Sequence, residues 1–102
     1  MKVVFTRRAR SNLDERIAYS VEHFGIALTN RTFDRLDRYL SDVLARYPDI
    51  GRPLQNFDAA ETWVPRTPFI VIYRVNPDAD ELAILAVYHH AQDRSKFNPA
   101  DT

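Results

Sequence analysis

Side chains able to move protons or grip an anion crowd the end of the segment LAILAVYHHAQDRSKF, Leu82 to Phe97. His89 and His90 are adjacent, and Gln92, Asp93, Arg94 and Lys96 follow. An imidazole close to a carboxylate can serve as a general base, provided a proton to abstract lies within reach. The plainer role is structural, with one imidazole bonding backbone at a strand end and the other solvated. Neighbouring side chains on a strand point to opposite faces, so the pair is a poor chelator and no metal site is expected.

Arg74 is the second candidate, because it interrupts the apolar run FIVIYRV (Phe69–Val75). Strict alternation puts it on the face of Ile70 and Ile72. A guanidinium there must reach water, a carboxylate or a ligand, since an unpaired buried charge is costly. It can pair with Asp80 or Glu81 across the following turn. Alternatively it lies beside His89 at the mouth of a groove and clamps a phosphate or carboxylate. Trp63 and Phe69 read as core or its rim.

Other chemistries are excluded by what is missing. The 102 residues contain no cysteine, which removes disulfides, thiolate zinc sites and a thiol nucleophile, and fits a reducing cytosol. Only two glycines are present, too few for a phosphate-cradling loop, and neither GxSxG nor HExxH occurs. No cofactor is expected. No apolar run approaches a membrane span, and the start MKVVFTRRAR is too short and too early charged for a signal peptide. Fourteen basic residues balance fourteen acidic ones, whereas a nucleic-acid ligand usually carries a basic excess. Twelve of the fourteen are arginine, the fork-shaped donor suited to carboxylates and phosphates.

The elements that must position these groups follow from periodicity. With 45% hydrophobic and 12% aromatic residues, residues 1–102 read as one packed domain. KVVFT (Lys2–Thr6) predicts a strand, and Thr6 is placed to cap a helix. Ala9, Leu13, Ile17, Val21 and Phe24 form one helical face, stopped at Gly25. Phe33, Leu36, Leu40, Val43 or Leu44, and Tyr47 form a second, ended by Pro48. Its outer face carries Asp34 with Arg38 and Asp42 with Arg46 at i,i+4 spacing. Strands are expected at Glu61–Val64, Phe69–Val75 and Leu82–Tyr88, the last two apolar on both faces and therefore central. The domain divides into a strand plus helical hairpin (1–47), a loop (48–60), and three strands with a tail (61–97). The order is β-α-α-β-β-β, an α+β fold with the hairpin packed on a small, mostly antiparallel sheet.

The segments VVFTRRARSNLDERIAYSVEHFG, PDIGRP, ETWVPRTPFIVIYRV and LAILAVYHHAQDR, in this order and spacing, resemble the RelE/ParE superfamily of bacterial toxins. The likeness spans nearly the whole chain. Its most specific elements are FTRRAR, the GRP turn, PFIVIYRV, and the ending His89, Ala91, Asp93. His90 departs from it, since the ParE and plasmid-stabilisation branch often has glycine there.

The resemblance implies a cytoplasmic toxin of a type II toxin–antitoxin pair, held by a cognate antitoxin as a heterodimer or larger assembly. Members of the ParE branch inhibit DNA gyrase, and those of the RelE branch cleave mRNA on the ribosome. Arg74 and His89 match the ribonuclease pattern and would be its catalytic pair. The loop GRPLQNFDAAE offers Arg52 but no lysine pair, and Phe97 is the sole aromatic of the tail. PRTPFIVIYRV and HHAQDR are closer to ParE, so the expectation is a ParE-like gyrase inhibitor. The alternatives are a ribosome-dependent endoribonuclease and a non-toxic member that only binds antitoxin. Residues expected to grip the target or a phosphate are Arg52, Arg66, Arg74, His89, Asp93 and Arg94. Arg8, Arg35 and Arg38 are expected at the rim of an antitoxin groove walled by the hairpin and the sheet.

Overall fold

In the computed structural model the described residues are 1–90, 92, 97 and 98. Strand β1 (Lys2–Phe5) leads into helix α1 (Arg7–Phe24) and helix α2 (Ile26–Arg38), which continues as a π-helical turn over Tyr39–Leu44. After a short 3-10 turn at Pro48–Ile50 come β2 (Arg52–Pro53), β3 (Ala60–Trp63), β4 (Phe69–Asn76) and β5 (Glu81–His89). The sheet order is β1-β5-β4-β3-β2. Only β1 with β5 is parallel, and the other three pairings are antiparallel. This is the expected α+β architecture, with β2 as an added edge strand inside the segment 48–60 that reads as loop. A two-residue strand containing proline carries no alternation to detect, and proline suits an edge because it donates nothing to the ladder.

Thr6 caps α1 as expected: its hydroxyl accepts the Ala9 amide at 3.2 Å and donates to the Leu85 carbonyl at 3.1 Å. Gly25 alone joins the helices, at φ +82°, a conformation that costs glycine little. The apolar stripe of α1 is buried only near its start. Ala9 is fully buried, whereas Ile17, Val21 and Phe24 are 38%, 39% and 59% exposed. The strand beneath, β5, ends at His89, and beyond it the two helices of the hairpin pack on each other. There Ser20 and Thr29 share a hydroxyl hydrogen bond at 2.7 Å, and Thr29 also donates to the Gly25 carbonyl.

The π turn settles the second stripe. Leu36, Leu40 and Leu44 are buried, while Val43 and Tyr47 are exposed. An i→i+5 bond, Ala45 N–H to the Leu40 carbonyl, widens the last turn, so Leu44 replaces Val43 over the sheet. The pairs Asp34–Arg38 and Asp42–Arg46 do not close: among the described residues the one ion pair is Arg52–Glu61.

Both faces of β4 and β5 are covered, which explains their unbroken apolar sequence. Phe69, Val71 and Tyr73 with Leu82, Ile84 and Val87 pack under the helices. Ile72, Leu85, Ala86 and Tyr88 pack on the other face against Leu54, Ala59 and Phe97. A bulge in β5 changes the alternation, because Ile72 faces Ala86 while Tyr73 faces Ile84.

Candidate functional site

β4 runs without a bulge from Phe69 to Asn76 on its own side of the ladder, so alternation fixes its side chains. Phe69, Val71 and Tyr73 face the helices, and Ile70, Ile72 and Arg74 face away. His89 pairs with Phe69 and lies with it on the helical side. Arg74 and His89 therefore occupy opposite faces. They also lie at opposite ends, since the five steps from Phe69 to Arg74 span about 17 Å at strand rise. The expected adjacency of Arg74 and His89 at one groove mouth is not realised. Nor does Arg74 pair with Asp80 or Glu81. Its Nε donates to the Asp58 carbonyl at 2.8 Å, which ties β4 to the segment between β2 and β3.

The face carrying Arg74 also carries Arg52, which stands opposite Glu61 and pairs with it. Glu61 in turn stands opposite Ile72, and Trp63 opposite Ile70. Arg52, Arg74 and Trp63 thus share one side of the sheet. Trp63 is 58% exposed, not part of the core, and a shallow pocket of about 320 Å³ lies between it, Arg52 and Glu61. Its ring stacks on His90 at 5.8 Å, and His90 stacks on His89 at 4.5 Å. Three rings in series thus wrap the end of the sheet from one face to the other.

His89 borders a cleft of about 280 Å³ between the hairpin and the β3–β4 turn, lined also by Arg16, Tyr19, Phe24, Leu28 and Phe69. Burial, then the neighbouring His90 and Arg16, hold the His89 imidazole below its ordinary pKa. The neutral ring is thus favoured, able to accept or donate a hydrogen bond without bringing charge into an apolar groove. Sequence reasoning placed groove walls at the hairpin and sheet without naming Tyr19, Phe24 or Leu28. The signal was available, since Phe24, Ile26 and Leu28 flank a one-glycine turn with little left to cover them.

The remaining arginines fall into separate places. Arg35, Arg38 and Arg66 line one cleft with Tyr39, Asp42 and Val43, so Arg66 sits with two residues expected to meet the antitoxin. Arg8 is set apart from Arg35 and Arg38. It donates to the Tyr88 hydroxyl at 3.1 Å and the Asn98 carbonyl at 3.4 Å, and covers the Phe97 ring at 5.3 Å. Its role here is to fasten the start of α1 to β5 and the tail. Asp93 and Arg94 lie outside the described residues.

The GRP turn is built around a phenol. The Tyr73 hydroxyl accepts the Gly51 amide at 3.0 Å and donates to the Pro48 carbonyl at 2.5 Å. Desolvation raises the Tyr73 pKa, partly offset by the Gly51 amide, so the phenol stays protonated as the donor that Pro48 needs. Among the described residues no cluster of His, Asp or Glu is arranged to hold a metal ion, and no helix is long and apolar enough to cross a membrane.

Comparison with known proteins bears on this geometry. The family described as "ParE toxin of type II toxin-antitoxin system, parDE" matches residues 3–94. No sequence among the curated proteins is a significant match. Among solved structures, the chain resembles one from a chromosomal ParDE toxin–antitoxin system of P. aeruginosa, with TM-score 0.67 and 23% identity over 87% of this chain and 95% of the other. It also resembles a chain of a RelBE toxin–antitoxin complex of Mycobacterium tuberculosis, with TM-score 0.65 and 23% identity over 89% and 92%. A chain of the intact E. coli RelBE complex is similar at TM-score 0.57 and 16% identity, over 90% and 98%. These likenesses show the shared fold.

Proposed function

The chain belongs to the ParE toxin family of type II toxin–antitoxin systems, and from that premise we propose that it acts by binding DNA gyrase rather than by cutting RNA. The separation of Arg74 from His89 carries this reading. Cleavage by 2′-hydroxyl attack needs a base and a stabiliser of phosphate charge within hydrogen-bond reach of one phosphodiester. Groups on opposite faces of a sheet, about 17 Å apart along it, do not serve one phosphate. The geometry favours a toxin that works by occupying its target.

The gyrase-facing surface in this reading is the side of the sheet bearing Arg52, Trp63 and Arg74. An exposed tryptophan that shares a pocket with an arginine has the composition of a binding hot spot. The apolar groove under the hairpin, with Tyr19, Phe24 and Leu28, suits an amphipathic antitoxin helix. The solved relatives from toxin–antitoxin assemblies support the expectation of such a partner.

Purified protein added to a DNA supercoiling reaction should inhibit gyrase at micromolar concentration. No inhibition, together with cutting of translated mRNA that an Arg74→Ala, His89→Ala double variant abolishes, would replace this reading with the ribonuclease.

A further inference from the structure

We propose that the cleft between the π turn of the second helix and the β3–β4 turn receives the carboxylates of an acidic peptide segment. Three guanidinium groups, from Arg35, Arg38 and Arg66, line this cleft of about 380 Å³. None of them closes an ion pair: the one found among the described residues is Arg52–Glu61, on another part of the sheet. Asp42 lines the same cleft yet closes no pair with them. Three arginines against one aspartate leave this concavity net positive, an anion site by charge complementarity.

Two features of the backbone hold the arginines in this array. Arg66 has φ +61°, a left-handed turn conformation that is uncommon for a non-glycine residue. It is held in place by Arg35, whose guanidinium donates to the Arg66 carbonyl at 3.4 Å. Across the cleft the π turn begins at Tyr39, and the Tyr39 hydroxyl is fixed to Thr62 at 2.9 Å. Interruptions of this kind in a helix concentrate at functional sites.

The occupant is a peptide carboxylate and not a nucleic-acid backbone for two reasons. Val43, 39% exposed, and Tyr39 give the cleft an apolar wall. The chain has no net charge, whereas a nucleic-acid backbone is bound through a broad basic excess.

The cleft also has a register with the hairpin groove. Leu28, Thr32, Arg35, Tyr39 and Asp42 follow at spacings of four, three, four and three, one face of the second helix. The first two border the apolar groove and the last three the arginine cleft. From Leu28 to Arg35 is about 10 Å along a helix. A helical partner lying along this face would therefore place its acidic residues about two turns from its apolar anchors. This register rests on the reading of the groove as an antitoxin seat; the anion site itself does not.

The test is titration of the isotopically labelled protein with hexaglutamate, hexalysine and oligothymidylate, observed at the arginine Nε–Hε resonances. Hexaglutamate should shift Arg35, Arg38 and Arg66, and hexalysine should not. The Arg35→Ala, Arg66→Ala pair should weaken hexaglutamate binding about tenfold or more. The exposed Arg38→Glu change weakens it without touching the Arg35–Arg66 hydrogen bond. Hexaglutamate shifts confined to other residues would overturn the proposal. Tighter binding of oligothymidylate in this cleft would also overturn it, in favour of a nucleic-acid site. Gyrase inhibition by the same variants, without antitoxin, reports separately on the proposed function.

Discussion

The side-chain oxygen of Asn12 accepts a hydrogen bond from the Val87 amide at 3.0 Å, 75 residues along the chain. β1 ends at Phe5, opposite Ile84, so beyond that point β5 has no strand on this side. Thr6 takes the Leu85 carbonyl and Asn12 the Val87 amide, and between them α1 completes the ladder at the bulge. Asn12→Ala should leave that amide unsatisfied and cost about 1–3 kcal/mol. Urea denaturation should show a lowered midpoint with an unchanged slope.

Gly51 meets a steric demand and not a conformational one. Its φ of −73° is open to any residue, but a Cβ there would lie 2.7 and 2.9 Å from Tyr73 ring carbons. Tyr73 is 1% exposed and belongs to the main core, so its ring cannot swing aside. Gly51→Ala should destabilise by about 1–3 kcal/mol through overpacking. Tyr73→Phe should also destabilise, by stranding the Gly51 amide and Pro48 carbonyl. Thermal melts of the two single variants and the double should show non-additive losses, because the residues share one contact.

Periodicity made the helices, the central strands and the two-sided burial of β4 and β5 legible. It did not reveal how far α1 overhangs the sheet, because Ile17, Val21 and Phe24 repeat at core spacing whether or not a strand lies beneath. The choice between Val43 and Leu44 depended on a π turn that residue spacing does not encode. For the candidate site, alternation alone put Arg74 with Ile70 and Ile72, and that face is right. Its separation from His89 required the pairing of β4 with β5 and hence the register. Arg66 could not be grouped with Arg35 and Arg38 from the sequence, since only the β3–β4 turn brings them together.

His89 gives the chain a pH-dependent component of stability with a definite sign. Its pKa is lowered in the folded state, so the unfolded chain takes up the proton first as pH falls. Stability should therefore decline as pH drops from about 6.5, the unperturbed histidine value, through the lowered one. His89→Gln should reduce the loss of denaturation midpoint as pH is lowered from about 7. Imidazole NMR titration checks the same shift directly, and an inflection for His89 at or above the ordinary value would remove the explanation.

Arg74 and His89 should also behave as independent residues in any activity assay. Sites well apart with no shared partner usually give free-energy effects that add to within about 0.5 kcal/mol. Half-inhibitory concentrations against gyrase for Arg74→Ala, His89→Ala and the double variant should thus multiply. A double variant no worse than the weaker single would mean that the two act as one unit, as a shared catalytic step requires.

Trp63 offers the sharpest test of the sheet face. It is the sole tryptophan, it is 58% exposed, and Arg52 lies in the same pocket. Exposure on that scale means truncation removes little packing, so Trp63→Ala should change folding stability by no more than about 0.5 kcal/mol. Buried at a partner interface, the same ring would account for about 2 kcal/mol or more of binding. Trp63→Ala should therefore raise the half-inhibitory concentration in the supercoiling assay more than tenfold, with an unchanged melting temperature. The wild-type fluorescence should shift as gyrase is titrated in, because the ring leaves water. Leu28→Ala, on the hairpin side, should leave that inhibition intact. If Leu28→Ala abolished inhibition while Trp63→Ala did not, the target would lie on the helical face and the sheet assignment would be wrong.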